Sequence, residues 1–246
     1  MVAKLERNLA GGTALVTGGS SGIGLAVCHA LAQSGLRVIV TGRDPERTRA
    51  TCSALPNPEW HHWLVGDLAD DDFLRKLVER CDELAQGQLA ALVHAAGVHD
   101  PKAIEASSGD DFDATFATNL RAPFLLSARL LPALRSARGQ IVFVNSSATR
   151  NPRSDTAAYS ASKAGLLAFA DSLRATVNPD GIRVLSVFPG RTATPMQREQ
   201  LAREGRAFVP ERLLQPEDVA ASILAAMALP RTAEVTEIHI RPNLKA

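Results

Sequence analysis

The chain has 246 residues, 46% of them apolar, and a formal net charge of +1 from 27 basic and 26 acidic side chains. Such a chain can fill one large core, and its balanced charge, with arginines set among acids as in Arg43-Asp44-Pro45-Glu46-Arg47, gives no support to nucleic-acid binding. Three cysteines without metal spacing, no apolar leader and no run of ~18 apolar residues argue against zinc, disulfides, secretion and a membrane span, so a cytoplasmic protein without metal is expected.

Along the chain, strand patterns alternate with helix patterns. Thr13-Ala14-Leu15-Val16-Thr17 reads as a buried strand that runs into Gly18-Gly19-Ser20-Ser21-Gly22-Ile23-Gly24 and a helix over 23–34. Glycines at such a turn let the backbone approach a pyrophosphate, and the helix start offers unpaired N–H groups at its positive end. Read alone, these residues also suit a flexible glycine-serine loop, and Gly-x-x-x-Gly-x-Gly is not the common dinucleotide fingerprint. A second strand over 37–41 passes through Gly42 and Arg43 into a helix over 44–55, which Asp44 is placed to cap. A third strand, 61–65, precedes Asp67-Leu68 and a helix over 70–85. The fourth, 91–95, runs into His94-Ala95-Ala96-Gly97, and one long helix is expected over 110–134, with Asn119 inside it where propensity gains little from asparagine.

The fifth strand, 140–145, stops at Ser146, with Ser147 beside it. A turn-rich segment, Arg150 to Asp155, then leads into a helix over 157–177 that carries the chain's single tyrosine, Tyr159, and Lys163. Four apart on a helix, these two share a face at about 5–6 Å between Cβ atoms. A free phenol titrates near pH ~10, and a neighbouring cation lowers that value, so Tyr159 is expected to have a depressed pKa and to serve as an acid or base. A solvated tyrosine and lysine would show the same spacing. The sixth strand, 183–188, ends at Pro189-Gly190 and is followed by Arg191-Thr192-Ala193-Thr194, a charged helical stretch over 197–204, and a last helix and strand over 216–229 and 237–240. The alternation predicts an α/β protein with a parallel sheet covered on both faces and a ligand crevice at the carboxyl ends of the strands. The irregular stretch from 190 to about 214 is the expected substrate lid, with Phe208, Val209, Leu213 and Leu214 suited either to cover substrate or to join the core. One domain is expected over 1–246, since no repeat or linker interrupts it.

Taken together, Thr17 to Gly24, Asn119, Ser146, Tyr159-x-x-x-Lys163 and Pro189-Gly190 resemble the short-chain dehydrogenase/reductase family in its compact form, over residues from about 12 to Pro242. The resemblance implies a Rossmann-like doubly wound sheet of about seven strands in the order 3-2-1-4-5-6-7, and a homo-oligomer, dimer or tetramer, formed through the helices of Asn119 and Tyr159. It implies that Tyr159 exchanges a proton with a carbonyl or alcohol oxygen, that Ser146 orients that oxygen, and that Lys163 and Asn119 reload the tyrosine through a water. The cofactor contacts it implies are Gly18, Ser20, Ser21, Gly22, Ile23 and Gly24 in the turn, Arg43, Asp67 and Leu68 around the adenosine, and Ala95, Ala96 and Gly97 beyond the fourth strand. Toward the nicotinamide it implies Tyr159, Lys163, Pro189, Gly190, Thr192 and Thr194. With Gly42 and Arg43 where an NAD site carries a carboxylate, NADP(H) is the expected cofactor and NAD(H) the alternative. His94 stands where the family has asparagine, and a packing or hydrogen-bonding role is expected of it. The reading is an NADP(H)-dependent oxidoreductase acting on a small carbonyl or secondary alcohol; the alternative is a non-catalytic NADP(H)-binding sensor or scaffold.

Overall fold

The computed structural model describes residues 11–243; the ends of the expected 1–246 domain lie outside the described residues. Seven parallel strands, β1 (Thr13–Thr17), β2 (Arg37–Gly42), β3 (His62–Val65), β4 (Leu89–His94), β5 (Gln140–Val144), β6 (Arg183–Pro189) and β7 (Glu237–Ile240), form one sheet in the order β3-β2-β1-β4-β5-β6-β7. Residues Thr13–Thr17, Leu89–His94, Gln140–Val144 and Arg183–Pro189 are buried throughout, as strands covered on both faces must be. Side chains alternate between the layers. Ala14 and Val16 pack with α1 (Gly22–Gln33) and α8 (Pro216–Met227), whereas Leu15 packs with α3 (Asp71–Ala85), α5 (Ala122–Ala137) and α6 (Ala157–Val177). The chain reverses direction between β1 and β4, which opens a crevice at their carboxyl ends.

The single helix expected over 110–134 is divided. It comprises α4 (Gly109–Phe116), a π-helical turn over Ala117–Arg121, and α5. Pro123 supplies the cause: it has no N–H for the carbonyl four residues back, which is that of Asn119, and its ring clashes with that carbonyl in regular helix. The widened turn leaves Asn119 fully buried. Two further helices, α2 (Pro45–Ala54) and α7 (Pro195–Arg203), flank the crevice.

The stretch expected to form a lid departs from the sheet and returns to its own starting point. Thr192 and Leu214 form a parallel bridge, with Ala193 N–H donating to the Leu214 carbonyl at 2.8 Å and Leu214 N–H to the Arg191 carbonyl at 3.0 Å. Of the apolar residues expected over substrate, Leu213 and Leu214 are buried, Leu214 in the core, and Phe208 lies against the Arg198 guanidinium at 4.1 Å. Val209 is exposed; none of the four lines the crevice, which is lined on this side by Met196, Gln197 and Gln200 from α7.

Candidate active site

The turn between β1 and α1 is built so that backbone, not side chains, faces the crevice. Gly18 has φ +67°, and a Cβ there would lie 2.7 Å from the Ala96 Cα, while a Cβ on Gly24 would collide with the Gly18 carbonyl. Ser21 precedes α1 in extended conformation without a side-chain cap, so the first N–H groups of α1 are left for an outside acceptor, and no acidic residue occupies its first turn. These features fit a dinucleotide pyrophosphate.

Gly18, Ser20, Ser21, Gly22, Ile23 and Gly24 line a cleft of about 420 Å³. The same cleft takes in Arg43, Asp67 and Leu68 at one end, Ala95, Ala96 and Gly97 beyond β4, and Ser146, Tyr159, Lys163, Pro189, Gly190, Thr192 and Thr194 at the other. Asp44 turns its carboxylate into α2, accepting the Arg47 N–H at 3.0 Å, while Arg43 stands exposed at the rim. Asp67 accepts the Ala69 N–H at 2.9 Å, so it shapes its own turn as well as facing the cleft. Thr194 caps α7 by accepting the Gln197 N–H at 3.2 Å.

Ser146 lies just past β5, where its hydroxyl accepts the Ala148 N–H at 3.1 Å, and it lines the same cleft as Tyr159. Burial raises the Tyr159 pKa, and the nearby Ser146 hydroxyl lowers it by less. The depressed phenol expected from the sequence is therefore not what the protein alone presents. The Lys163 ammonium donates to the Val144 carbonyl at 2.9 Å and lies 6.0 Å from the phenol ring centre, and burial brings its own pKa down to about 8. Asn119 does not reach Lys163 with its side chain either. Its Oδ1 accepts the Val98 N–H at 2.8 Å, and its Nδ2 donates to the Val98 carbonyl at 3.0 Å and to Ser162 Oγ at 3.1 Å, tying the segment after β4 to α6.

With this geometry in place, the comparisons with known proteins are decisive. A family model for short chain dehydrogenases matches residues 12–205. The chain is a short-chain dehydrogenase/reductase. A short-chain type dehydrogenase/reductase of Sinorhizobium fredii is 34% identical over 235 residues, covering 94% of this chain and 91% of the relative. A solved short-chain dehydrogenase of Burkholderia cenocepacia in complex with NADP is 32% identical with a TM-score of 0.80, covering 95% of this chain and 98% of that one. A 3-ketoacyl-(acyl-carrier-protein) reductase of Brucella melitensis complexed with NADH is 25% identical with a TM-score of 0.83, over 94% and 97% of the two chains.

In this short-chain dehydrogenase/reductase, His94 stacks on Phe143 at 4.9 Å and shares a hydrogen bond of 3.0 Å with Ser127. Burial, reinforced by the Lys163 charge, lowers its pKa to about 3, so it is a neutral brace of the central sheet at ordinary pH. Not legible in the sequence as site residues were His99, which meets the Tyr159 ring edge-on at 4.6 Å, and Asn145, Arg153, Arg191, Gln197 and Gln200, which line the same cleft. His99, Asn145 and Arg191 follow the ends of β4, β5 and β6, where ligand contacts gather, whereas nothing local marks Arg153, ahead of α6, or Gln197 and Gln200, on α7. Among the described residues, no helix is long and apolar enough to cross a membrane, and no group of three or more His, Cys, Asp and Glu is placed to hold a metal ion.

Proposed function

We propose that this short-chain dehydrogenase/reductase is an NADP(H)-dependent oxidoreductase that interconverts a small-molecule carbonyl and a secondary alcohol. The observation that carries the reading is the gathering of Ser146, Tyr159 and the buried Lys163 ammonium in the one cleft whose far end is the glycine turn. Bound nicotinamide supplies the hydride chemistry. Ser146 orients the substrate oxygen, Tyr159 passes the proton to or from it, and Lys163 holds the ribose hydroxyls and steadies the tyrosine. Asn119 fixes the Val98 backbone and Ser162, and through them the wall beside Lys163.

The preference for NADP(H) over NAD(H) rests on Arg43 at the rim and on the commitment of Asp44 to the α2 cap, which leaves a cation where a 2′-phosphate would lie. We also read the segment from 190 to about 214 as the substrate lid, the protein as cytoplasmic, and the helices around Asn119 (α4 and α5) and of Tyr159 (α6) as the homo-oligomer contact, supported by the exposure of Phe112 and Phe124.

The test pairs fluorescence titration of NADPH with steady-state NADPH oxidation across a panel of ketones and quinones, for wild type and Tyr159→Phe. The variant keeps its NADPH affinity while turnover falls by about 10²–10⁴-fold, the usual contribution of a positioned acid or base. Retention of more than about a tenth of the wild-type rate removes Tyr159 from the mechanism. Absence of turnover by wild type on every panel substrate, with NADPH still bound, favours a sensor or scaffold.

A further inference from the structure

Three residues that line the cleft each carry a buried hydrogen-bond donor without a partner. Asn145 is 4% exposed and its Nδ2 is buried without a partner. The orientation of that amide is fixed, because its Oδ1 accepts the Ser146 backbone N–H at 2.9 Å, a group that can only donate, and also the Thr149 hydroxyl at 2.8 Å. Arg191 presents the same situation with a full charge: Nη2 holds Glu204 at 2.9 Å, while Nη1 is buried and unpaired. Gln197, 8% exposed, adds an unpaired Nε2. All three residues line the cleft.

Their placement is coherent. Asn145 directly precedes Ser146 and donates its backbone N–H to Val187 of β6 at 2.7 Å, while Arg191 lies just past the end of β6, so both sit at the carboxyl ends of adjacent strands. Among the described residues, the one carboxylate lining the cleft is that of Asp67, after β3 at the opposite end, whereas Arg153, Arg191 and Lys163 line the end that holds Tyr159. Glu204 and Asp155 offset part of that charge, since Glu204 pairs with Arg153, Arg191 and Arg206, and Asp155 with Arg153. A buried donor left unpaired is costly, and a hydroxyl, which must itself donate, satisfies three such donors less well than a group that only accepts.

We propose that Asn145 and Arg191, with Gln197, bind a carboxylate borne by the substrate, so that the enzyme acts on 2- or 3-oxo acids and the corresponding hydroxy acids. The inference rests on the oxidoreductase reading above. In the reduction, the carbonyl carbon gains a hydride and its oxygen the Tyr159 proton, the reduced nicotinamide is oxidised, and the carboxylate is left unchanged.

The experiment compares kcat/KM for pyruvate, 2-oxobutyrate and acetoacetate with that for their methyl esters, in wild type, Asn145→Asp and Arg191→Lys. Asn145→Asp keeps the acceptor for the Ser146 N–H but replaces the donor with a like charge; Arg191→Lys keeps a cation for Glu204 but gives up the second nitrogen. Wild type prefers each acid over its ester by about 10- to 100-fold, the scale of a charge-assisted hydrogen bond, and both variants bring that ratio toward one, chiefly through KM for the acid. Esters or neutral ketones reduced as well as the acids, or a ratio that neither variant changes, overturns the inference and leaves the oxidoreductase reading standing. Weakened NADPH binding in both variants with an unchanged ratio assigns the donors to the cofactor and overturns it too. If no carbonyl compound is turned over, calorimetric titration of oxamate against oxamide into the NADP⁺-saturated protein decides: selective binding of oxamate supports a carboxylate site, and equal or absent binding reduces the donors to water sites.

Discussion

At Tyr159 two effects of opposite sign meet, and their balance sets the pH range of the reaction. Burial raises the phenol pKa above its ordinary 10.0, and the nearby Ser146 hydroxyl offsets only part of that rise. Because the chain has one tyrosine, ultraviolet titration of phenolate reports this residue alone. The cofactor-free protein is expected to show a midpoint above 10.0; a midpoint below it would mean that the Lys163 charge outweighs burial. The sign for catalysis follows: a raised pKa keeps the phenol protonated through neutral pH, so carbonyl reduction persists there, while alcohol oxidation, which needs the phenolate, rises with pH. Arg43 gives a second expectation at this scale. NADPH binds more tightly than NADH by about 1.5–3 kcal/mol, and Arg43→Ala removes most of that difference, as paired cofactor titrations would show. Equal affinities in wild type exclude Arg43 as the discriminating group. The sequence displayed Tyr159, Lys163 and Ser146 through their intervals, but not the direction of the tyrosine shift, because that depends on how much protein closes around the ring and on Lys163 reaching Val144 instead.

Among the elements, the π turn over Ala117–Arg121 matters most for the site. It was hidden in the sequence by a hydrophobic period that runs on across the break, although Ala122-Pro123 carried the warning: the residue before a proline is disfavoured in helix, and the proline withholds one backbone bond. Asn119 was legible as an odd residue for a helix interior; that its amide would link Val98 to Ser162 was not, because those partners come from distant parts of the chain. Asn119→Ala leaves the Val98 N–H and carbonyl and the Ser162 hydroxyl without this partner, so unfolding in urea should show a loss of about 2–4 kcal/mol, from one or two uncompensated buried groups. A loss under about 0.5 kcal/mol would mean that the surroundings re-pair these groups readily.

For the whole molecule, strand-helix alternation made a parallel sheet legible in the sequence, whereas the order β3-β2-β1-β4-β5-β6-β7 was legible only through the family resemblance, because right-handed crossovers allow several orders. Burial of the three cysteines gives the molecule an alkaline limit. All are free and buried; burial pushes Cys81 up to about 12 from 9.0, Cys28 higher still, and Cys52 upward. A thiol whose folded pKa is raised contributes stability that is complete below the unfolded value and is lost as pH climbs through the range between the two. Lys163 works in the opposite sense, since its value falls from 10.5 to about 8 in the fold, so stability gains from it as pH rises across that interval. One lysine opposes three thiols. Thermal melting under reducing conditions should change little between about pH 8 and 9 and fall steadily above it, with Cys81→Ala softening the fall. A melting temperature that stays level to pH ~11 would contradict the burial of these thiols.

The bridge between Thr192 and Leu214 closes the base of the segment it encloses, and salt bridges from Glu204 to Arg153 and from Arg203 to Asp100 hold its far part down. Such a segment is a cassette. Its length and composition can change while the ladder beneath it, and the glycine turn and tyrosine pair with it, keep their register. On the lid reading proposed above, exchange of residues 193–213 for the corresponding stretch of another family member is an economical route to a new substrate.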